Sequence, residues 1–199
     1  MLLKAKHLVI AGLFLAMANP AYSCVGKILY VGAGDTAGDK IMAELLVLLI
    51  NERTGTNVQI RYFANNEQLY EAFKSNIEEK RVDIIVEDTG DGLAFLGLDR
   101  MSDPDQEYLT VKEKYDEKLG VIWLNPFGFK NNASGQPPSI SAPLLRRDIL
   151  TNFPLLPRIL NKLAGKIDDP TLADIVARVD SGDKPKNVAK DFLRSIKLI

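Results

Sequence analysis

The hydrophobic and polar positions along the first half of the chain follow two spacings. Short, continuous apolar runs bounded by glycine or polar residues are typical of buried strands, and apolar residues three or four positions apart are typical of helices. Strands are predicted in this way at 28–31, 58–62, 82–86 and 121–124. The first three alternate with helices, so the order β-α-β-α-β predicts an α/β protein with a single open, mostly parallel sheet and helices on both faces.

The two helices of the first half have recognisable ends. The first covers 39–52, is apolar around most of its surface and ends at Gly55, which predicts an almost wholly buried helix. The second begins where Asn65 and Gln68 form a capping pair. Its apolar side is formed by residues spaced four apart: Leu69, Phe73 and Ile77.

The second half of the chain is mainly helical in pattern. A charged helix is predicted at 105–119, and the helices after the fourth strand are predicted at 142–150, 154–163, 170–179 and 185–196. Proline occupies the first position of the last two helices, and Asp169 is the predicted cap of the helix at 170–179. The stretch 130–141, which contains Pro137-Pro138, is predicted to be an exposed linker.

The N-terminal residues have the pattern of a secretory signal. Lys4 and Lys6 precede an apolar segment that is too short to span a bilayer, and small residues stand at the −3 and −1 positions before Cys24. We therefore expect a signal peptide at 1–23 and a single domain at 24–199, located in the periplasm or another extracytoplasmic space. The sequence favours ordinary signal-peptidase cleavage, and lipidation of Cys24, which would anchor the protein to a membrane, is the weaker alternative.

The composition excludes several classes of chemistry. Lys and Arg number 25 against 26 Asp and Glu, a formal charge of −1, which disfavours nucleic acid as a partner. The only histidine, His7, lies in the predicted signal peptide, so the exported chain has no Ser-His-Asp or Cys-His pair and no His-ligated zinc site. We expect no enzyme activity, no catalytic residue, no metal and no cofactor.

Candidate binding residues follow the strands, because ligands of open α/β sheets bind outside the carboxyl ends of the strands. Residues 32–37 match the dinucleotide pattern G-x-G-x-x-[G/A] between a strand and a helix. The acidic ribose ligand expected after the second strand is missing, because that strand runs into Arg61, Tyr62 and Phe63. The sequence favours a plain glycine-rich turn with exposed backbone N–H groups over a nucleotide site.

Three carboxylates follow the third strand within five residues, in the sequence Glu87-Asp88-Thr89-Gly90-Asp91. Such a group could contact a ligand, hold a divalent cation or form an acid and base pair. Consecutive loop residues diverge, however, and Asp and Glu beside glycine are common in solvated loops. The sequence favours the solvated loop, followed by ligand contact.

Short motifs spread over 27–199 match the pattern of one known family. They are AELL at 43–46, Thr54-Gly55, YEAFKS at 70–75, VDI at 82–84 with Thr89-Gly90, WLNPFGF at 123–129, APLLRRDIL at 142–150, LNKLAGKI at 160–167 and VAKDFL at 188–193. With these motifs the chain resembles the periplasmic substrate-binding proteins of ABC importers for glycine betaine, choline and related osmoprotectants. The resemblance implies one lobe of a periplasmic-binding-protein-like fold.

The resemblance also implies a function and a ligand class. Family members close two lobes over a quaternary ammonium group held by aromatic rings, whereas this chain has only 130–141 where the second lobe is inserted. Asp88 stands where the family commonly has tyrosine, so Asp88 or Glu87 is the expected counter-charge of a cation. The expected ligand contacts lie at the first three strand ends: Asp35, Thr36, Asn65, Asn66, Glu87, Asp88 and Thr89.

Two functional hypotheses follow. The first is an exported solute-binding component that takes a small quaternary-ammonium or amino-acid-like solute and serves an ABC importer permease. The second is a one-lobed interaction module that binds no small solute tightly and docks on a permease, on a partner lobe or on a second copy as a homodimer. A single lobe leaves its ligand face open, which buries less of a small ligand than the roughly 70–90% of good pockets.

Overall fold

A mixed sheet of five strands lies at the centre of the fold in a computed structural model that describes residues 27–131 and 137–199. The predicted signal peptide at 1–23 and Cys24 lie outside the described residues. The strands are β1 Leu29–Ala33, β2 Val58–Tyr62, β3 Ile84–Asp88, β4 Val121–Trp123 and β6 Ser139–Arg146, in the sheet order β2-β1-β3-β6-β4, and the short β5, Lys130–Asn131, pairs with the start of β6. Strands β1, β2, β3 and β4 run in one direction and β6 runs against them.

Helices cover both faces of this sheet. They are α1 Ala37–Thr54, α2 Asn66–Lys74, α3 Thr89–Phe95, α4 Pro104–Leu119, α5 Leu156–Leu160, α6 Asp169–Asp180 and α7 Pro185–Ser195, with 3₁₀ turns at Arg147–Thr151 and Asn161–Leu163. Helices α1, α5, α6 and α7 share one hydrophobic core with the sheet, and α2, α3 and α4 share the other. The predicted fold class, an open and mostly parallel α/β sheet with helices on both faces, is confirmed.

The continuous apolar runs of the strands are explained by these two cores. Successive side chains of a strand point to opposite faces, so a strand between two helical layers is apolar at every position. In β3, Ile84 belongs to the core around α1 and Ile85 to the core around α2. In β6, Leu145 and Leu144 divide between the two cores in the same way.

Helix α1 is the most deeply buried helix, as its sequence predicts. Its N-terminus is closed by a capping box in which the Thr36 hydroxyl accepts from the Asp39 N–H and the Asp39 carboxylate accepts from the Thr36 N–H. Gly55 ends the helix in the left-handed conformation, at φ 68°, where a glycine carries no steric penalty. The predicted helix end is therefore confirmed.

The helix predicted at 142–150 is wrong. Residues up to Arg146 belong to β6, and only the 3₁₀ turn at Arg147–Thr151 follows. The apolar run at 142–145 fits a helix and a strand equally well, because β6 is buried on both faces and shows no alternation. A proline inside the run also argues against a central strand. Pro143 is tolerated because β4 ends at Trp123, and the Pro143 carbonyl accepts from the N–H of Leu124 just beyond that end.

Other predicted boundaries also need correction. Helix α2 ends at Lys74, so Ile77 lies outside it and is 54% exposed. Helix α6 is capped by Asp168, whose carboxylate accepts from the Thr171 N–H, and not by Asp169. The helix predicted at 154–163 is the short α5 with a 3₁₀ turn after it.

Strand β3 and the linker predicted at 130–141 also differ from the sequence pattern. Strand β3 begins at Ile84 and continues through Asp88, two residues later than predicted. Strands β5 and β6 occupy the two ends of the predicted linker. Their pairing satisfies backbone N–H and C=O groups, and a polar composition gives no sign of such pairing. Among the described helices, none is long and apolar enough to cross a bilayer.

Replacing Gly92 with alanine is expected to lower the free energy of unfolding by about 1–3 kcal/mol, the usual range for overpacking. A Cβ at this position of α3 would lie 2.9 Å from the Trp123 ring and 3.4 Å from the Tyr115 hydroxyl oxygen. Gly38→Ala in α1 is the matched control, because its Cβ has no contact shorter than 3.8 Å and alanine is the better helix former. Urea denaturation should show opposite signs, and stabilisation by Gly92→Ala would contradict the packing.

Candidate functional site

A cavity of about 600 Å³ lies at the carboxyl ends of β1 and β3, against the N-termini of α1 and α6. This is the edge of the sheet where ligands of open α/β folds bind. The cavity is lined by acidic side chains on several elements and by one lysine: Asp39, Glu87, Asp88, Asp91, Asp169 and Lys130. Its apolar wall is formed by Met42, Leu69, Val86, Phe129 and Leu172.

The structure brings four of the seven predicted contact residues to this cavity: Thr36, Asn66, Glu87 and Asp88. The other three do not line it. Asp35 is exposed and forms an ion pair with Lys40 at 2.7 Å. Asn65 caps α2 by accepting from the Gln68 N–H, and Thr89 is fully buried behind the cavity wall.

The third strand end is a strand-to-helix junction and not the solvated loop that the sequence favours. Glu87 and Asp88 are the last residues of β3, and α3 begins directly at Thr89. The sequence does not predict α3, because glycine disfavours a helix. Glycine is nevertheless required at positions 90 and 92, since a larger side chain has no room beside the Arg100 guanidinium and the Trp123 ring.

Glu87 is the most buried acidic group of the cavity, with 6% of its surface exposed. Its Oε1 accepts from the N–H of Asp88 at 2.9 Å, and the Tyr70 hydroxyl lies near its carboxyl group. Burial raises the pKa of Glu87 to about 8, against the influence of these two donors, which favour the ionised form. The negative charges of Asp91 and Asp88 raise the pKa further.

Asp88 and Asp91 form the outer part of the acidic wall. Asp88 accepts a hydrogen bond from the Ser141 hydroxyl, which joins β3 to β6. Asp91 is held more loosely, by a 3.4 Å hydrogen bond from the side-chain amide of Asn66. Burial, together with the charge of Asp88, raises the pKa of Asp91 above its ordinary value.

Packing explains the glycines of the G-x-G turn after β1. A Cβ at Gly32 would lie 2.5 Å from a Leu69 methyl and 3.0 Å from one of Val82. A Cβ at Gly34 would collide with the Asp39 carboxylate of the capping box. That carboxylate also places a negative charge at the helix N-terminus where a phosphate would bind, which agrees with the plain turn that the sequence favours.

Thr89 belongs to a buried polar cluster that supports the cavity from behind. Its hydroxyl donates to Glu107 at 3.2 Å and accepts from the Ile140 N–H at 3.1 Å, which ties α3 to α4 and β6. Glu107 is fully buried and forms an ion pair with Arg100, whose guanidinium also donates to the Pro137 carbonyl at 2.7 Å. The cluster therefore positions β6 against β3, beside Asp88.

Sequence reasoning missed several lining residues. Asp39 was placed only at the start of α1, although the T-x-x-D spacing of a capping box could have located it at the strand end. Phe129, Lys130 and Asp169 come from distant parts of the second half, and the main-chain N–H of Lys130 donates to Asp169 at 2.8 Å. No local pattern brings these residues to the first strand, so they required the tertiary structure.

The divalent-cation interpretation of the acidic residues finds no support. Within 27–131 and 137–199, no three His, Cys, Asp or Glu side chains are grouped so that they could hold a metal ion. The cavity carboxylates instead lie along its wall, on β3, α1, α3 and α6.

Comparison with known proteins gives similarity in structure but not in sequence. No protein-family model and no curated protein sequence matches the chain. A solved glycine betaine/carnitine/choline ABC transporter structure superimposes with a TM-score of 0.78 at 14% identity, covering 85% of this chain and 99% of that one. Apo YehZ from Escherichia coli gives 0.77 at 15% identity, covering 87% of this chain and 100% of its own.

A third solved structure is lactococcal OpuAC in its closed-liganded conformation, complexed with glycine betaine. Its TM-score is 0.56 at 9% identity, with 86% of this chain and 97% of that chain covered. The fold is that of a periplasmic-binding-protein-like lobe. The predicted resemblance is thereby confirmed as a likeness of fold.

In this periplasmic-binding-protein-like lobe, the cavity lies next to β5 and the start of β6. Lys130 of β5 and Ser141 of β6 both line it. These strands flank the segment where the resemblance places the insertion of a second lobe. The two ends of the predicted linker therefore border the cavity.

Proposed function

We propose that the protein is an exported solute-binding component related to ABC importers of glycine betaine- and choline-type osmoprotectants. The observation that carries the proposal is the acidic cavity at the carboxyl ends of β1 and β3. The fold neighbours support the general kind of protein, since one is a glycine betaine/carnitine/choline ABC transporter structure and another is complexed with glycine betaine.

The charge of the cavity favours a cation. Five carboxyl groups and one lysine line it. Even with Glu87 protonated, the remaining carboxylates outnumber the lysine. The attraction between two opposite unit charges 4 Å apart is about 4 kcal/mol at the effective dielectric constant near a protein surface. An ammonium group carried by a small solute is therefore the ligand class that this wall fits.

The size of the cavity fits the same ligand class. Its volume of about 600 Å³ lies within the roughly 300–1,000 Å³ that is usual for small-molecule sites. Among the described lining residues, Phe129 is the single aromatic one. Carboxylates, and not a cage of aromatic rings, would therefore neutralise the ammonium group. Asp88 and Glu87 remain the proposed counter-charges, with Asp91 beside them.

The proposed setting is extracytoplasmic, with an ABC importer permease as the partner. Support comes from the secretory pattern of the N-terminal sequence and from the transport proteins among the fold neighbours. We propose no enzymatic activity, because the only histidine lies in the predicted signal peptide and the fold neighbours are transport proteins.

The alternative is a one-lobed interaction module that docks on a permease or forms a homodimer. The observation that favours it is the position of the cavity beside β5 and β6, on a face that no other described element covers. Titration calorimetry with choline, glycine betaine and carnitine, together with light scattering, separates the two hypotheses. Saturable heats support the solute-binding component, whereas a defined dimer without any heat of binding favours the module.

Replacing Asp91 with asparagine is expected to weaken the binding of choline about 3- to 10-fold, or roughly 1 kcal/mol. The substitution removes one negative charge from the cavity, and the asparagine oxygen can still accept from Asn66. Asp105→Asn is the matched control, because Asp105 is exposed on α4 and does not line the cavity. Equal affinities of the two variants in calorimetry would remove Asp91 from the proposed site.

A further inference from the structure

Glu87 stands between the cavity and the aromatic core on the other side of the sheet. Glu87 lines the cavity, yet only 6% of its surface is exposed. Its carboxyl group has the Asp88 N–H on one side and the Tyr70 hydroxyl on another. A charged ligand in the cavity would therefore meet a carboxyl group that is almost removed from water.

A chain of hydroxyl groups continues from Glu87 into the core. The hydroxyl oxygens of Tyr70 and Tyr115 are 2.8 Å apart, with either able to donate, and the Tyr115 hydroxyl lies 3.3 Å from the Gly92 carbonyl oxygen. Phe95 stacks on the Tyr70 ring at 4.1 Å between centroids, which holds that ring in place. The rings are fixed, but the hydroxyl hydrogens can rotate.

This chain of hydrogen bonds has two arrangements. When Glu87 is protonated, its O–H can donate to Tyr70, Tyr70 to Tyr115, and Tyr115 to the Gly92 carbonyl. When Glu87 is ionised, the Tyr70 hydroxyl can turn and donate to the carboxylate. Every donor finds an acceptor in both arrangements, so the core accommodates either state of Glu87 without a rearrangement of side chains.

The charged groups around Glu87 favour the protonated state in the empty cavity. Asp88 follows it on β3 and Asp91 faces it from α3, both negative, and burial adds to their effect on the pKa. The remaining groups on the packed elements are Asp39 of α1, Asp169 of α6, Lys130 of β5, the phenols Tyr70 of α2 and Tyr115 of α4, and the uncharged β6 residues Ser141 and Ala142. A bound cation would shift this balance towards the carboxylate.

We propose that Glu87 exchanges its proton for the ligand: it is neutral in the empty cavity, ionises when an organic cation binds, and releases the proton to solvent through the cavity mouth. This coupling rests on the proposed function and adds its regulation by pH. Because binding releases a proton, the affinity for a permanent cation rises with pH. The rise continues over the pH range in which Glu87 is protonated in the empty cavity and ionised in the occupied one. The rise approaches tenfold per pH unit when the exchange is complete.

The test is titration calorimetry of the exported chain with choline chloride at pH 6, 7 and 8, in two buffers of different ionisation enthalpy at each pH. We expect affinity to increase about 3- to 10-fold per pH unit and the buffer dependence to report 0.5–1 proton released per choline at pH 6 and 7. Glu87→Gln, which copies the neutral carboxyl, should bind choline with nearly constant affinity and release no proton.

Two further variants sharpen the test. Tyr70→Phe removes a hydroxyl that lowers the pKa of Glu87, so the rise of choline affinity with pH should move to higher pH in this variant. Asp105→Asn lies outside the cavity and should keep the pH dependence of the unmodified protein. The fluorescence of Trp123, the only tryptophan, checks that each variant is folded.

The outcomes separate the two proposals. Saturable choline binding that is independent of pH, or a pH dependence that persists in Glu87→Gln, overturns proton exchange and leaves the solute-binding function standing. An absence of binding of choline, glycine betaine and carnitine at every pH in the folded protein overturns the solute-binding function, and proton exchange fails with it.

Discussion

Replacing Arg100 with alanine is expected to lower the free energy of unfolding by about 3–5 kcal/mol, the largest effect of any single substitution considered for this protein. The Arg100 Nε and Nη2 atoms donate to the two oxygens of Glu107 at 2.7 and 3.1 Å, and Glu107 is fully buried. Without the guanidinium, a buried carboxylate is left with the Met101 N–H and the Thr89 hydroxyl as its donors among the described residues. The melting temperature should fall on the order of 10 °C.

Urea denaturation followed by circular dichroism measures this effect, and Arg178→Ala is the control. Arg178 forms ion pairs with Asp183 and Asp191, but all three side chains are exposed by more than a third. Exposed pairs contribute little, so this control should change the free energy of unfolding by less than about 1 kcal/mol. Similar losses for the two variants would show that the buried cluster does not stabilise the fold.

The Arg100–Glu107 pair also predicts a pH dependence at the acidic end. Burial raises the pKa of Glu107, but the hydrogen bonds from Arg100 and the Met101 N–H outweigh it and hold the pKa below its ordinary value. A lowered pKa in the folded state means that this stabilisation is complete above the unfolded value of about 4.3 and is lost as pH falls through the folded value.

Replacing Glu87 with glutamine is expected to remove a loss of stability that the unmodified protein shows on the alkaline side. The pKa of Glu87 is about 8 in the folded protein because the carboxyl group is buried, and near 4.3 in the unfolded chain. The folded state therefore holds a proton that the unfolded state releases, so stability falls as pH rises between these values. The fall from pH 5 to pH 9 should be on the order of 3–5 kcal/mol.

Urea titrations at unit steps from pH 5 to pH 9 measure this fall. Glu87→Gln carries an amide that cannot ionise, so its free energy of unfolding should stay nearly level over the same range. Glu67→Gln is the matched control, because Glu67 is exposed on α2 and the same substitution there should leave the decline in place. A decline of equal size in Glu87→Gln would assign the titration to another group.

The first half of the fold was predictable because its local signals agree with the tertiary structure. Strand β2 has its predicted bounds, α2 begins after its cap Asn65, and α1 ends at Gly55, as expected. Each of these features depends on backbone preferences within a few residues. A helix end or a short strand next to a turn can therefore be located from sequence alone.

The second half was harder because burial on two sides hides periodicity. Strand β6 is buried along nearly its whole length, so its side chains alternate between two apolar cores and its sequence shows no alternation. The same limit applies to the site. Glu87 and Asp88 are adjacent and both acidic, but whether each is buried depends on Tyr70 and Ser141, which come from other elements.

The position of β6 in the sheet has a consequence for how the protein folds. Strand β6 lies between β3 and β4, and β4 has no other partner strand among the described residues. Until residues 139–146 dock, β3 presents an open edge of unpaired backbone groups, which is a template for pairing between chains. Closing the sheet needs contacts between residues far apart in sequence, which form slowly. We therefore expect the docking of this one strand to limit the refolding of the purified protein, and the yield to fall as protein concentration rises.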